Sequence, residues 1–188
     1  MSKNPLYNLS PGEALGDSPL LRVLIDFLQN CIYVKDVQGC YGFSNFAYAK
    51  KVGAADPEEI VGRSDLDLYS EELAERYRAE EHEIVRSGQP ATDREESSVD
   101  EEGNRRWSVT TKVPLRNGDG EIAWLLSISR DITRQKEAED ALRKSEERFW
   151  SLSASSSLGI FLTDAEGRYV YTNRILQEIC GCSHEEAL

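Results

Sequence analysis

The chain has 188 residues, enough for one domain of ordinary size with a smaller element beside it. Its 34 acidic against 22 basic residues give a formal net charge of -12, which repels phosphate backbones and anionic lipid, so nucleic acid is not expected as a direct partner. No apolar run approaches the roughly 20 residues of a membrane span, residues 1–20 carry no secretory pattern, and the four cysteines lack a C-x-x-C pair or a histidine cluster; a cytoplasmic chain without a zinc site is expected.

In chain order, residues 1–17 read as an irregular leader. Ser18 before Pro19 is an N-cap followed by proline at the first helical position, and Leu20, Leu21, Leu24, Ile25, Phe27 and Leu28 give helix 18–29 a broad apolar face. Two short strands follow, Cys31–Lys35 and Cys40–Ser44, with a turn at Asp36–Gly39. That register sets Cys31 opposite Ser44 and Cys40 opposite Lys35, several rungs apart, so free buried thiols are expected rather than a disulfide. Asn45–Val52 is a short helix stopped by Gly53.

A one-turn helix near Glu58–Val61 precedes a longer one over Ser70–Arg86, with Ser70 as N-cap and "SGQP" ending it. Three strands come next, Thr92–Val99, Arg105–Leu115 and Glu121–Ile132, separated by the turn sequences "DEEG" and "NGDG". The order β-β-α-α-β-β-β implies an α+β fold, an antiparallel five-stranded sheet with helices on one face. Asp131 or Thr133 then caps a charged linker helix, 134–150, in which Ala138, Leu142, Ser145, Phe149 and Leu152 form a short a/d seam.

One phrase occurs twice. "IYVKDVQGCYGFSN" at Ile32–Asn45 returns 128 positions later as "IFLTDAEGRYVYTN" at Ile160–Asn173, identical at Ile, Asp, Gly, Tyr and Asn, and the register holds without a gap to Glu58/Glu186. Asp36 and Asn45 recur in both copies, which fits local roles in a turn and a helix cap.

These pieces, with "EEIVGRSDLDLYSEELAERY", "VRSGQP", "RRWSVTTKVPLRNGDGEI" and "SRDIT", closely resemble a PAS domain, the sensor module of bacterial signalling proteins. The resemblance covers Leu20–Thr133 and resumes near Glu146 with "SEERF" and the second phrase. It implies a PAS domain over 18–133, a linker helix over 134–150, and in 151–188 the truncated start of a second, tandem PAS domain, too short to bury a core alone. It further implies a sensory and signal-transduction module upstream of an output domain. That output is a histidine kinase of a two-component system or, less commonly in the family, a diguanylate cyclase.

The resemblance also implies an inner pocket able to hold haem, flavin, a small metabolite or nothing. The flavin adduct needs a cysteine near the start of the long helix, and "VGRSDLDLYSEEL" has none. Haem needs an axial ligand, and His82 lies about 180° round the helix from Leu73, facing water. No cofactor is therefore expected. Leu73, Tyr77, Glu80 and Ile84 share a stripe, so Glu80 either faces the pocket, with Lys112 or Arg106 as partner, or bends out to solvent. Ser108, Thr110 and Lys112 share one side of their strand, and with Tyr77 and Glu80 they are the ligand-pocket candidates. Trp107, Val109, Thr111 and Val113 lie on the other side, as packing.

Asp131, Ile132 and Thr133 are the expected route of the signal into the linker helix. Leu21, Leu24, Phe27, Leu28, Leu142 and Phe149 are the expected contacts of a parallel homodimer. A structural dimerisation spacer with an empty pocket is the rival function. No catalytic constellation is present in the sequence.

Overall fold

The computed structural model describes residues 19–99 and 103–181; the leader 1–17, the Ser18 cap and Glu186 at the end of the second copy of the repeat lie outside them. The chain divides into two compact units, one ending at Thr133 and one beginning at Arg134. No helix among the described residues is long and apolar enough to cross a membrane.

In the first unit, α1 (Pro19–Phe27) leads into β1 (Cys31–Asp36) and β2 (Tyr41–Ser44), then α2 (Phe46–Lys51), two 3-10 turns (Pro57–Glu59 and Asp65–Asp67), α3 (Glu71–Ser87), and β3 (Ala91–Val99), β4 (Arg105–Arg116) and β5 (Ile122–Asp131). The five strands form one antiparallel sheet in the order β2-β1-β5-β4-β3, so the first and last strands in sequence sit side by side in the middle. This is the α+β architecture expected from the order of elements.

Period-two alternation sorts the sheet's two faces. Ile32 and Val34 of β1 point outward with Phe43, where Ile25 of α1 and Trp124, Leu126 and Ile128 of β5 pack on them. Tyr33 and Lys35 point inward, toward α3. Tyr41, Tyr48, Ala49 and Ile60 form a second core cluster over the β1–β2 end. Gly88 at φ 66° takes the left-handed conformation that closes α3, donating its N–H to Ile84 O, a position where a Cβ would be strained.

Three expectations are corrected here. The hairpin pairs Tyr33 with Ser44 and Lys35 with Tyr41, two residues and one residue from the expected register, because a bulge after Val34 takes up the difference. Cys31 therefore pairs with Ser129 of β5 instead of Ser44, its Sγ donating to Ala47 O at 3.6 Å; it and Cys40 are free but half-buried rather than buried. The linker helix does not stop at 150.

The second unit holds most of that helix, α4 (Thr133–Ser155), with β6 (Phe161–Thr163) and β7 (Tyr169–Thr172) as a two-stranded hairpin and α5 (Arg174–Cys180). Leu142 and Phe149 are exposed on α4; the Phe149 ring also meets Trp150 and Tyr171 edge-on.

Candidate functional site

Lys35 is the residue around which the inner face is organised. Strand alternation drives its side chain under α3, where it is 1% exposed, and a buried ammonium needs carboxylates around it. Two supply this. Lys35 Nζ donates to Asp65 Oδ2 at 2.6 Å and to both oxygens of Glu81 at 3.0 and 2.9 Å. Asp65 is held in place by its own 3-10 turn, whose N-cap Ser64 donates its N–H and hydroxyl to Asp67 Oδ2. Glu81 comes from the centre of α3.

The charges continue across the sheet as an alternating ladder. Lys112 Nζ of β4 lies 3.7 Å from Glu81 and donates to Glu80 Oε2 at 2.7 Å, and Arg94 of β3 donates to Glu80 Oε1 at 3.1 Å. Asp65, Lys35, Glu81, Lys112, Glu80 and Arg94 thus form a chain of alternating sign tying the second 3-10 turn, β1, α3, β4 and β3 together.

Beside the ladder runs a chain of phenols. Tyr41 donates to Asp65 Oδ1 at 2.6 Å, Tyr41 and Tyr48 share a short hydrogen bond, Tyr48 and Tyr69 share another at 2.9 Å, and Tyr33 donates to Glu81 Oε1 at 3.1 Å. Burial pushes the Tyr33, Tyr41, Tyr48 and Tyr69 phenols well up, with neighbouring carboxylates or phenols adding to it, so all four stay neutral near neutral pH. They act as hydrogen-bonding groups there, not as proton-transfer catalysts.

Ladder and phenols enclose a cavity of about 30 Å³, lined by Tyr33, Tyr41, Tyr48, Tyr69, Tyr77, Asp65, Lys112 and Thr110 among others, with Ser127 and Ser129 as its floor on β5. Thr110 donates to Ser129 Oγ at 3.1 Å, and Ser127 is the more deeply buried of the two floor serines. The volume suits about two waters, or the head of a small molecule.

Of the pocket candidates, Tyr77, Thr110 and Lys112 line this cavity. Glu80 is three-quarters buried in the ladder behind it, paired with Lys112 and Arg94. Ser108 sits farther along β4, opposite Glu96 and Asp131, and does not reach the lining. The inward carboxylate of α3 is Glu81 rather than Glu80, because the buried stripe runs Ala74, Glu81, Ile84. His82 is exposed and borders a separate open hollow of about 270 Å³ between α3 and the β1–β2 turn, with Arg78, Gln38 and Asp36.

Sequence reasoning missed Lys35, Asp65, Glu81 and the tyrosines of β1, β2 and α2. The signal for Lys35 was present: a lysine in strand phase with Tyr33, on the face that α3 must cover.

At the exit of the sheet the three residues expected to carry the signal meet β4. Ile132 N donates to Trp107 O at 2.9 Å, the Thr133 hydroxyl accepts from Trp107 N at 2.9 Å, and Thr133 N donates to Asp131 Oδ1 at 2.7 Å. Asp131 thus caps the first turn of α4. Partial burial pushes the Asp131 carboxyl up, but the Thr133 hydroxyl and amide outweigh it and hold the carboxyl below the usual range. Ile132 and Thr133 are both buried. Leu21, Leu24, Phe27 and Leu28 are exposed on and just beyond α1.

Comparison with known proteins places this geometry. The family model described as PAS fold matches residues 25–137, more than half of the chain. The chain is 30% identical over 141 residues to the methanogenesis regulatory histidine kinase FilI of Methanothrix harundinacea; the match covers 75% of this chain and 16% of that protein's length. Among solved structures it is similar to the PAS domain of Bordetella pertussis BvgS, at 24% identity and TM-score 0.52 over 71% of this chain and 98% of that one. It is also similar to Vibrio cholerae VqmA, at 19% identity and TM-score 0.56 over 63% and 52% of the two chains.

Proposed function

The chain belongs to the PAS-fold family, and on that premise we propose that its first unit is the cytoplasmic ligand sensor of a larger signalling protein, with a histidine kinase as the output. The match to FilI supports the kinase, and the cavity under α3 supports the sensing. The observation that carries the proposal is a continuous polar path. The cavity is lined by Thr110 and Lys112 of β4, and the same strand, at Trp107, clasps Ile132 and Thr133 where α4 begins. A ligand that shifts β4 by a fraction of an ångström therefore acts on the first turn of α4, and a two-state change in that helix is the signal.

The exposed leucines and Phe27 of α1, with Leu142 and Phe149 of α4, are the surface this proposal gives to a parallel homodimer. Residues 151–188 are assigned the start of a second module of the same kind, since Asn173 is wired as Asn45 is.

The smallness of the cavity favours one rival, a dimerisation spacer whose pocket stays empty. Native mass spectrometry of the whole chain, compared with a denatured control, separates the two. A bound molecule released on denaturation supports the sensor, and a mass equal to the bare chain both as purified and after incubation with a metabolite extract supports the spacer.

A further inference from the structure

The arrangement of charge around the cavity narrows the class of ligand, and this inference rests on the sensory function proposed above. Each buried cation there is already matched: Lys35 by Asp65 and Glu81, Lys112 by Glu80 and Glu81. An anionic ligand inside the cavity would have to displace one of those carboxylates to find a buried counter-charge; the other cation of the lining, Lys51, is exposed at its rim.

Glu96 stands apart. It projects from β3 opposite Ser108, lines the cavity with Tyr77 and Lys112, and is half-buried, yet its carboxylate forms no hydrogen bond or ion pair among the described residues. The cavity wall carries five tyrosine rings whose faces attract ammonium. The resident lysines show it: Lys35 Nζ lies 4.7 Å from the Tyr41 ring centre and 5.2 Å from that of Tyr33, and Lys112 Nζ 5.5 Å from that of Tyr77.

We propose that the cavity binds a small organic ammonium ion, its charged nitrogen paired with the Glu96 carboxylate, its alkyl part packed among the tyrosine rings. Burial already pushes the Glu96 carboxyl up; Lys112 pulls against this, Glu80 adds to it, and Lys51 and Arg76 also face it. A bound ammonium brings the carboxyl back down. Binding therefore weakens as the pH falls through the Glu96 range and releases protons there.

The test uses the full chain and three probes of nearly one shape and different charge: isopropylammonium, isopropanol and isobutyrate, titrated by NMR at neutral pH. The expected result is saturable binding of isopropylammonium at cavity residues, at least about tenfold tighter than either other probe, a gap of roughly 1.4 kcal/mol. Glu96→Gln, at a half-exposed position, should erase the preference without unfolding the chain. Isopropanol or isobutyrate binding as tightly at the same residues overturns the ligand class while leaving the sensor standing. Saturation by none of the three overturns this proposal and leaves the sensor to the mass measurement. Binding unaffected by Glu96→Gln also overturns it.

Discussion

Asn45 and Asn173 make the same four bonds at the same sequence offsets: each accepts from the backbone N–H 13 residues before it and 3 after, and donates to carbonyls 20 and 15 residues before. Asp36 and Asp164 likewise accept from the second and fourth residues after them. Yet the first hairpin lies within a five-stranded sheet, whereas the second leaves Phe161, Leu162, Tyr169 and Val170 exposed. The site residues differ as well. Where the first copy has Lys35, Tyr33 and Tyr48, the second has Thr163, Phe161 and Leu176. The repeated phrase thus encodes a scaffold, and the chemistry sits on the positions the repeat lets vary.

Substitution at paired positions sharpens that division. Lys35→Ala leaves Asp65 and Glu81 facing each other without their buried cation, and should cost the first unit about 3–5 kcal/mol. Thr163→Ala, at the equivalent exposed position, should fall within about 0.5 kcal/mol. Urea unfolding followed by circular dichroism reads both, and equal effects would break the comparison.

Scaffold positions should behave differently. Asn45→Ala strands buried N–H groups of Ile32 and Tyr48 together with carbonyls of Ile25 and Asn30, and should cost about 3 kcal/mol. Asn173→Ala removes the same wiring from a two-stranded unit. Hydrogen exchange should then show protection lost over residues 158–176 with the first unit's transition unmoved.

Smaller effects are expected at the exit and the cavity mouth. Thr133→Val keeps the side chain's shape but orphans the Trp107 N–H, and should cost about 1–2 kcal/mol in the same unfolding assay. Glu96→Gln should do the reverse. Because the folded state raises the Glu96 carboxyl, that group's contribution is greatest at low pH and is lost as pH rises through its folded value. The variant should therefore gain on the wild type between acid and neutral pH, and a variant less stable than wild type at neutral pH would contradict this.

Much of the fold was legible because its signals are local. Gly39, Gly88 and the "NGDG" turn mark chain reversals, and alternation marks the strands. The hairpin register was not legible, since the bulge after Val34 has no signature of its own. The α3 stripe was placed one residue off because its centre is an alanine and a glutamate, which hydrophobicity does not register. Thr110, Lys112 and Tyr77 could be found by phase alone. Asp65 and Glu81 could not, because what buries them is Lys35, distant by 30 and 46 residues in sequence.

Hydrogen exchange on the full chain with and without saturating isopropylammonium, read over Asp131–Thr133 and the first turn of α4, tests the central claim that cavity occupancy reaches the linker helix. Protection should change at the cavity strands and at this junction together, with the β6–β7 hairpin unaffected. Protection that rises at the cavity while Asp131–Thr133 and α4 exchange as before would contradict it.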